Sequence, residues 1–276
     1  MPAEPSAPVG MAPGNLPADS PARAVLVTLI VCAACSAAIA SAVTWLRPYQ
    51  QAHREADRSS RVRELVTAVP GLEHALGPLG TARLEARIIE LATGRYVPGN
   101  DPDDFDPRVA ILDAEESVAL PPERDIAGIG RRAHHGVAYE VRDAEGLRLI
   151  VLPVYGAGYL STLYGYLALD ADTQTVRGLG FYEHAETPGL GSEIENPQWL
   201  ARWPGKLARD ATGRVRLGVA RGAVDPRSSE ATHLVDGISG ATKTGDGVSG
   251  LLRFWLGPDG FGPYLGRLAR ERGGTP

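Results

Sequence analysis

The spacing of apolar residues changes several times along this chain, and the sharpest change lies in an uncharged run near the start. Residues 24–46 run without a charged side chain between Arg23 and Arg47. As a helix this run would be about 34 Å long, which is enough to cross a hydrocarbon core of about 30 Å. The pattern therefore predicts a transmembrane helix over residues 22–47.

A cleaved signal peptide is the alternative for this run, because Ala40-Ser41-Ala42 matches the small-residue pattern of a cleavage site. The run is longer than a typical signal core, and the Pro-, Ala- and Ser-rich residues 1–21 before it predict a disordered tail. These features favour an uncleaved anchor. Cys32 and Cys35, one helical turn apart, are expected to be small buried thiols, with a metal cluster shared with a partner as the alternative.

Beyond the anchor, apolar spacing first predicts helices and then strands. Helical spacing occurs over residues 51–69 and 79–92. Further along, alternating or continuous apolar runs predict five strands, over residues 137–141, 147–154, 164–169, 178–184 and 215–220. Asp143-Ala144-Glu145-Gly146 predicts a hairpin turn between the first two strands. Helical signals return at residues 196–203 and 247–256.

This order of elements predicts an α+β fold, in which a mixed, mostly antiparallel sheet packs against helices. It divides the chain into a tail (1–21), a transmembrane helix (22–47), a helical and loop linker subdomain (48–130), a sheet domain (131–256) and a C-terminal tail (257–276). No Gly-x-Gly-x-x-Gly follows a strand, so a Rossmann nucleotide site is not indicated. The formal charge of −5 gives no reason to expect a nucleic-acid partner. No metal site is expected either, because His134-His135 would point to opposite faces of a strand.

One polar segment stands directly before the last predicted helix: Asp236-Gly237-Ile238-Ser239-Gly240-Ala241-Thr242-Lys243-Thr244. Exposed N–H groups at a helix N-terminus bind anionic phosphate. A hydroxyl held against such a site can carry a phosphate ester. Threonine at the edge of a Gly-rich turn is common, so spacing alone leaves the role of Thr242 open.

A second unusual segment is Tyr182-Glu183-His184-Ala185-Glu186-Thr187-Pro188-Gly189-Leu190-Gly191. Glu186 and His184 could act as an acid–base pair within it, and its glycines could shape a tight loop that approaches a ligand. A strand-ending turn with solvent-facing charges is the alternative.

Several motifs together carry a resemblance. The run from Asp236 to Thr242 resembles the flavin-attachment motif Asp-x-x-Ser/Thr-Gly-Ala-Thr of the FMN-binding domain family. Glu-Thr-Pro-Gly-Leu-Gly at residues 186–191 resembles a companion motif of two FMN-carrying proteins, the C subunit of the Na+-translocating NADH:quinone reductase and the G subunit of the Rnf complex. Residues 158–165 (Gly-Tyr-Leu-Ser-Thr-Leu-Tyr-Gly) and 196–206 (Asn-Pro-Gln-Trp followed by Trp-Pro-Gly-Lys) favour the first of these. Where that family usually has Leu-Trp, this chain has Tyr159-Leu160, and Lys243 stands where relatives commonly have an apolar residue.

The resemblance implies an FMN joined to Thr242 by a phosphoester. It implies backbone contacts to the phosphate from Ser239, Gly240 and Ala241. Asp236 and Thr244 would position the acceptor threonine for a flavin transferase. The isoalloxazine would be lined by Glu186, Thr187, Gly189 and Leu190 together with Tyr159. Lys206 is a candidate anion contact, with an ordinary surface lysine as the alternative.

The resemblance also implies a place in the cell and partners. The chain would be an electron-transfer component of a multi-subunit complex in the inner membrane, with its FMN domain on the periplasmic side. The positive-inside rule predicts the opposite orientation, because one arginine precedes the span and five follow it, at positions 47, 54, 58, 61 and 63. An Rnf-type electron-transport protein and a membrane-anchored FMN-binding regulatory or assembly module are the alternative functions.

Overall fold

The structure is a computed structural model that describes residues 25–36, 83–99, 101–102 and 105–273. The chain divides into two compact units, residues 1–60 and 61–276. In the first unit, residues 25–36 form helix α1, and its large apolar side chains are exposed. None of the helices in these ranges is long and apolar enough to cross a membrane. The predicted tail, the remainder of the predicted span and the predicted helix over residues 51–69 lie outside the described residues.

The second unit is built on a six-stranded antiparallel sheet. Its strands are β1 (Arg83–Glu90), β2 (Arg95–Tyr96), β5 (His135–Asp143), β6 (Gly146–Ala157), β7 (Thr162–Asp170) and β8 (Val176–Glu183), in the order β2-β1-β5-β6-β7-β8. Two small sheets flank it: β3 (Ser117–Ala119) pairs antiparallel with β4 (Arg131–Ala133), and β9 (Gly218–Val219) pairs parallel with β10 (Leu234–Val235). The prediction of an α+β fold with a mostly antiparallel sheet is confirmed.

The described residues of this unit also form two long helices and two short ones. The short helices are α2 (Pro107–Ala110) and α3 (Pro197–Leu200), and the long ones are α4 (Thr242–Leu256) and α5 (Gly262–Gly273). Helix α3 begins as its sequence dictates, because the Asn196 side chain accepts a hydrogen bond from the N–H of Gln198 and a proline occupies the first turn. Two 3-10 turns lie at Gly191–Glu195 and Ser229–Thr232.

Helix α4 packs on one face of the sheet, with its apolar side in the main core. Its residues Val248, Leu251 and Leu252 are fully buried in one cluster with Ile150 and Leu152 of β6. A Cβ at Gly247 would lie 2.4 Å from the carbonyl oxygen of Ala157, so only glycine permits this approach. The contact fixes the first turns of α4 beside the chain that leaves β6.

The predicted helix over residues 79–92 is wrong, because residues 83–90 form strand β1. Leu84, Ile88 and Leu91 have helical spacing, which suggested the helix. The same stretch also alternates polar and apolar residues over residues 83–88, and all eight residues of β1 pair with β5. Pairing with a neighbouring strand decides between two periods that the local sequence satisfies equally.

The C-terminal tail proposed from the sequence contains helix α5. Phe261, Tyr264, Leu265 and Leu268 are buried in the main core together with Ile89 and Leu91. Strand β1 and helix α5 thus belong to the same core as the predicted sheet domain. The domain therefore extends on both sides of the predicted boundaries at residues 131 and 256.

The remaining elements follow the predictions with shifted ends. Asp143 and Gly146 close the predicted hairpin, and Gly146 has a φ of +117°, which favours glycine. The strand predicted over residues 215–220 is confined to Gly218–Val219. Helix α4 begins at Thr242, five residues before the predicted start.

Candidate functional site

Thr242 is the first residue of helix α4. Ala241 stands at the N-cap position, and no described side chain caps the helix. The first-turn N–H groups of such a helix lack intrahelical partners and carry the positive end of its dipole. Gly240 turns the chain into the helix with a φ of +74°, a conformation that side chains rarely adopt. The exposed Thr242 hydroxyl thus stands at an uncapped helix start.

A cavity of about 330 Å³ opens at this helix start. Its lining comes from three loops that are distant in sequence: the turn after β6, the loop after β8 and the start of α4. The lining residues are Tyr159, Glu186, Thr187, Leu190, Gly191, Gly240, Ala241, Thr242, Lys243 and Thr244. Two larger clefts, of about 550 and 620 Å³, have Arg253 and Ile126 in common and contain none of the predicted site residues. The smaller cavity is the candidate site because the predicted residues converge there.

The buried carboxylate of Glu186 joins the three loops. Its Oε1 accepts hydrogen bonds from the N–H groups of Tyr159 and Leu160, both at 2.9 Å. Its Oε2 accepts a hydrogen bond from the Thr244 hydroxyl at 2.6 Å. Glu186 is 5 % and Thr244 1 % exposed. Charge-assisted hydrogen bonds shielded from water are strong, so this group holds the cavity walls at fixed separations.

Two glycines make room for this carboxylate. A Cβ at Gly158 would lie 2.5 Å from Glu186 Oε1, and a Cβ at Gly191 would lie 2.6 Å from Oε2 and 2.7 Å from the Thr244 hydroxyl. These distances are shorter than any ordinary contact. The glycine that ends the Glu-Thr-Pro-Gly-Leu-Gly segment is therefore required by packing around Glu186.

His184 does not form an acid–base pair with the Glu186 carboxylate. Its Nδ1 accepts a hydrogen bond from the backbone N–H of Glu186 at 3.1 Å, and its Nε2 faces Glu195 Oε1 at 3.0 Å. The ring therefore fixes the backbone of the loop after β8, while both oxygens of Glu186 are bound to other groups.

The rim of the cavity combines apolar side chains with one cation. Tyr159 and Leu190 of the lining are 55 % and 43 % exposed, and Leu160, which follows Tyr159 in the chain, is 59 % exposed. Lys243 Nζ lies 4.9 Å from the centroid of the Tyr159 ring, within the range of a cation–π contact. The cavity thus offers an apolar surface beside a positive charge.

Four predicted site residues lie outside the cavity lining. Asp236 receives hydrogen bonds from Arg202 Nη1 at 2.6 Å and from the N–H of Val224 at 2.8 Å. Lys206 Nζ donates to the carbonyl of Ala231 at 2.5 Å. The N–H of Gly189 donates to Ser192 Oγ at 3.0 Å, and Ser239 is exposed.

Asp236 is held by Trp199 and Arg202 in the loop that precedes Thr242. Its carbonyl accepts a hydrogen bond from Trp199 Nε1 of α3 at 3.0 Å, and its carboxylate pairs with Arg202. These contacts tie the segment before Thr242 to a helix in the core. Gly191 and Lys243, which were not among the predicted site residues, complete the lining; Gly191 stood at the end of a recognised motif, and Lys243 directly follows the threonine.

One match to a known protein family covers the part of the chain that contains the cavity. A model of the FMN-binding domain family matches residues 158–257, a range that includes the whole cavity lining. The C subunit of the Na+-translocating NADH-quinone reductase of Pseudomonas aeruginosa is 42 % identical over 254 residues, which is 91 % of this chain and 97 % of that protein. Its counterpart from Yersinia pestis is 40 % identical over 261 residues, 91 % of this chain and 94 % of that protein.

A solved structure is similar over the whole of its own length. The crystal structure of Shewanella oneidensis NqrC superposes with a TM-score of 0.66 at 34 % identity, covering 76 % of this chain and 97 % of that one. The sequence relatives and the structural neighbour point to the same kind of protein. This chain belongs to the NqrC family, the C subunits of the Na+-translocating NADH-quinone reductases.

Proposed function

We propose that this chain carries one FMN as a phosphoester on Thr242 and relays electrons within a Na+-translocating NADH-quinone reductase. The observation that carries the proposal is the position of the Thr242 hydroxyl. It stands at the uncapped start of α4 and at the wall of the cavity where the motif residues meet. The sequence relatives named above are components of this reductase, which supports this assignment over the Rnf-type protein.

The cavity fits the phosphate end of a flavin nucleotide. A volume of about 330 Å³ lies within the range of small-molecule sites. The N–H groups at the start of α4 suit a phosphate, and an anion there is favoured by the helix dipole. Backbone groups of Gly240 and Ala241 lie at the same wall, and the missing side chain at Gly240 leaves them accessible. The exposed Ser239 flanks this wall.

The rim of the cavity fits the isoalloxazine end of the flavin nucleotide. Tyr159 and Leu190 of the cavity lining, and Leu160 next to Tyr159 in the chain, present apolar surface to solvent. An aromatic ring lowers its free energy by stacking on such a surface. Tyr159 is the aromatic group of this set. A flavin held there would be partly open to solvent, which suits exchange of electrons with a neighbouring protein.

Esterification of Thr242 needs a flavin transferase. It also needs a flavin donor whose phosphate carries a leaving group. The Thr242 Oγ gives its proton to a base of the transferase and forms the bond to phosphorus, and the leaving group departs with the electron pair of the bond that breaks. The chain's part is to present the hydroxyl. Asp236 does this by fixing the preceding loop, and Thr244 does it through its hydrogen bond to Glu186.

When bound, FMN supplies the redox chemistry, since the side chains of the cavity have none of their own. The protein residues hold the ring, exclude water from one side and set the local charge. A covalent link keeps the cofactor at a fixed place outside the cytoplasm, where a released flavin would be lost. Lys206 contributes to the fold through the hydrogen bond that its Nζ donates to the carbonyl oxygen of Ala231.

We further propose that residues 22–47 anchor the chain in the inner membrane, with the FMN domain on the periplasmic side and the other subunits of the reductase as partners. Helix α1 supports the anchor, because its apolar side chains Val25, Val27, Leu29 and Ile30 are more than half exposed. A surface of this kind is stable only when another apolar medium covers it.

Substitution of Thr242 tests the attachment. The full chain is produced together with its flavin transferase, and covalent flavin is detected by fluorescence of the band in a denaturing gel. Thr242→Val should abolish the fluorescent band and, in the assembled complex, the sodium-stimulated NADH:quinone activity.

Thr242→Ser is the matched control. It keeps a hydroxyl at the same position, so it should retain flavin, with less than the wild-type yield. A fluorescent band of wild-type intensity in Thr242→Val would remove Thr242 as the attachment site.

A further inference from the structure

Lys243 is the cation of the candidate site, and no acidic partner for it lies in the described part of the chain. It follows Thr242 directly in the first turn of α4 and lines the same cavity. Within the described ranges, the ion pairs do not include it. The carboxylate that does line the cavity, Glu186, accepts hydrogen bonds from two N–H groups and the Thr244 hydroxyl and forms no ion pair with Lys243. The ammonium charge is therefore available to a ligand.

The position of this charge is fixed by an aromatic ring. Lys243 Nζ lies 4.9 Å from the centroid of Tyr159, and the backbone of Tyr159 is held by Glu186. A cation over an aromatic face is attracted by the negative face of the ring. Lysine is otherwise flexible, so the ring keeps the ammonium group at the cavity mouth rather than in bulk solvent.

We propose that Lys243 binds the phosphate of the incoming flavin nucleotide, and that Tyr159 positions Lys243 for this contact. The inference rests on the proposed function, since it concerns the same cofactor. Free FMN, the phosphate monoester used below as the probe, carries a charge of about −1.5 to −2 at neutral pH, and the diester on Thr242 keeps one negative charge. The ammonium group therefore attracts noncovalently bound FMN more strongly than it attracts the attached flavin.

A phosphate contact has two consequences that a merely structural lysine lacks. Its loss weakens binding of flavins that carry phosphate but not of riboflavin, which has the same ring and no phosphate. Its contribution also falls as ionic strength rises, because the Debye length shortens from about 30 Å at 0.01 M to about 10 Å at 0.1 M salt.

The experiment measures noncovalent binding to the full chain, purified in detergent after production without the transferase. FMN and riboflavin are titrated separately, and binding is followed by quenching of flavin fluorescence at low and high salt. Lys243→Met should raise the Kd for FMN about tenfold at low salt, the scale of one charge-assisted hydrogen bond at a partly exposed site. The effect should shrink at high salt, and the Kd for riboflavin should stay within about twofold.

Lys243→Arg is the matched control, because it keeps the charge and the reach to the phosphate, and it should bind FMN as the wild type does. The role of Tyr159 is tested by a double-mutant cycle. In a Tyr159→Leu background, Lys243→Met should raise the Kd for FMN only about threefold, since the ammonium group is no longer held at the mouth. In a Tyr159→Phe background it should keep its full effect.

Three results would overturn the inference. They are unchanged FMN binding in Lys243→Met, an equal loss for FMN and riboflavin, and no measurable binding of FMN to the wild-type chain. Flavin on Thr242, detected by mass in the wild-type chain matured with the transferase, tests the proposed function separately. Attached flavin combined with any of these results would remove only the role of Lys243.

Discussion

At the scale of single residues, the site depends on one buried carboxylate. Glu186 accepts hydrogen bonds from two backbone N–H groups and one hydroxyl, and these donors belong to elements that are far apart in the sequence. Removing the acceptor leaves three donors without this partner, the buried Thr244 hydroxyl and the partly buried N–H groups of Tyr159 and Leu160. Each such group costs about 1–3 kcal/mol when it stays unsatisfied, although relaxation of the loops recovers a part.

Glu186→Ala should therefore lower the free energy of unfolding by about 2–4 kcal/mol and reduce flavin loading strongly. Glu186→Gln should cost less, because its amide oxygen can still accept from the Tyr159 and Leu160 N–H groups while Thr244 rotates its hydroxyl toward another acceptor. Urea unfolding and in-gel flavin fluorescence of the full chain measure the two effects. Glu123→Ala, at an exposed carboxylate outside the cavity lining, is the control and should change stability by less than about 1 kcal/mol. Wild-type stability and loading in Glu186→Ala would contradict the role given to this carboxylate.

The position of Thr242 at a helix start could be predicted approximately from the sequence because its motif is contiguous. The partnership of Glu186 with Thr244 could not, since 58 residues separate them and no local pattern encodes that contact. The places of Asp236 and Lys206 could not be predicted for the same reason. A charged residue that is close to a motif in the sequence can bind the ligand or can hold a neighbouring loop. Only the tertiary structure distinguishes these two roles.

At the scale of elements, helix α5 is fixed to the sheet by a second buried carboxylate. Glu140 of β5 is fully buried, and it accepts hydrogen bonds from Tyr264 of α5 at 2.5 Å and from Tyr96 of β2 at 2.6 Å. Arg142 pairs with it at 2.8 Å. Burial pushes the pKa of Glu140 upward, but the hydrogen bonds from Tyr264, Tyr96 and Arg142 outweigh it, so the pKa lies below its ordinary value.

This pKa shift predicts a pH dependence of stability. Because the pKa of Glu140 is lowered by folding, its contribution is fully present above the unfolded-state pKa of about 4.3 and is lost as the pH falls through the lower folded-state pKa. Glu140→Gln should cost about 1–3 kcal/mol at pH 7, and this difference from the wild type should narrow as the pH falls below about 4. Urea unfolding at several pH values measures it.

Glu145→Gln is the control, because Glu145 lies in the β5–β6 hairpin with a side chain 81 % exposed. It should change stability by less than about 1 kcal/mol at every pH. A difference between Glu140→Gln and the wild type that is independent of pH would contradict the assignment of the lowered pKa to Glu140.

Helices and strands were predicted correctly where one hydrophobic period was dominant. They were predicted wrongly where the helical and the strand period both fitted. Strands β6 and β7 are long apolar runs, and the sequence predicted both. Strand β1 satisfies the helical and the strand spacing, and its pairing with β5 settles the matter. Helix α5 has buried residues at helical spacing, at positions 264, 265 and 268, but the many glycines around them conceal the pattern.

At the scale of the whole molecule, the fold class followed from the grouping of strands before the last helices, whereas the domain boundaries did not. Strand β1 enters the sheet from outside the predicted domain, and α5 closes the core from the other side. Both are long-range contacts, which local sequence patterns do not encode. The transmembrane topology is a separate question, because the arginines after residue 46 and the family relationship favour opposite orientations.

A reporter enzyme that is active only outside the cytoplasm distinguishes these orientations. Fused after Pro276, it should be active in cells, and the full chain should stay with the membrane after extraction with alkaline carbonate. A chain that lacks residues 1–47 should be released by the same extraction and should give an inactive reporter. Activity of a reporter that works only in the cytoplasm, fused at the same site, would place the FMN domain on the other side.

Mass spectrometry decides whether one oxygen atom, Thr242 Oγ, carries the flavin phosphate on which the proposed electron transfer depends. The full chain is matured with its transferase and weighed intact, and the peptide from Ser228 to Lys243 is then fragmented. We expect an added mass of one FMN less one water, located on Thr242 and not on the serines or Thr232 of the same peptide. An unmodified chain, or an FMN located on another residue, would refute the assignment.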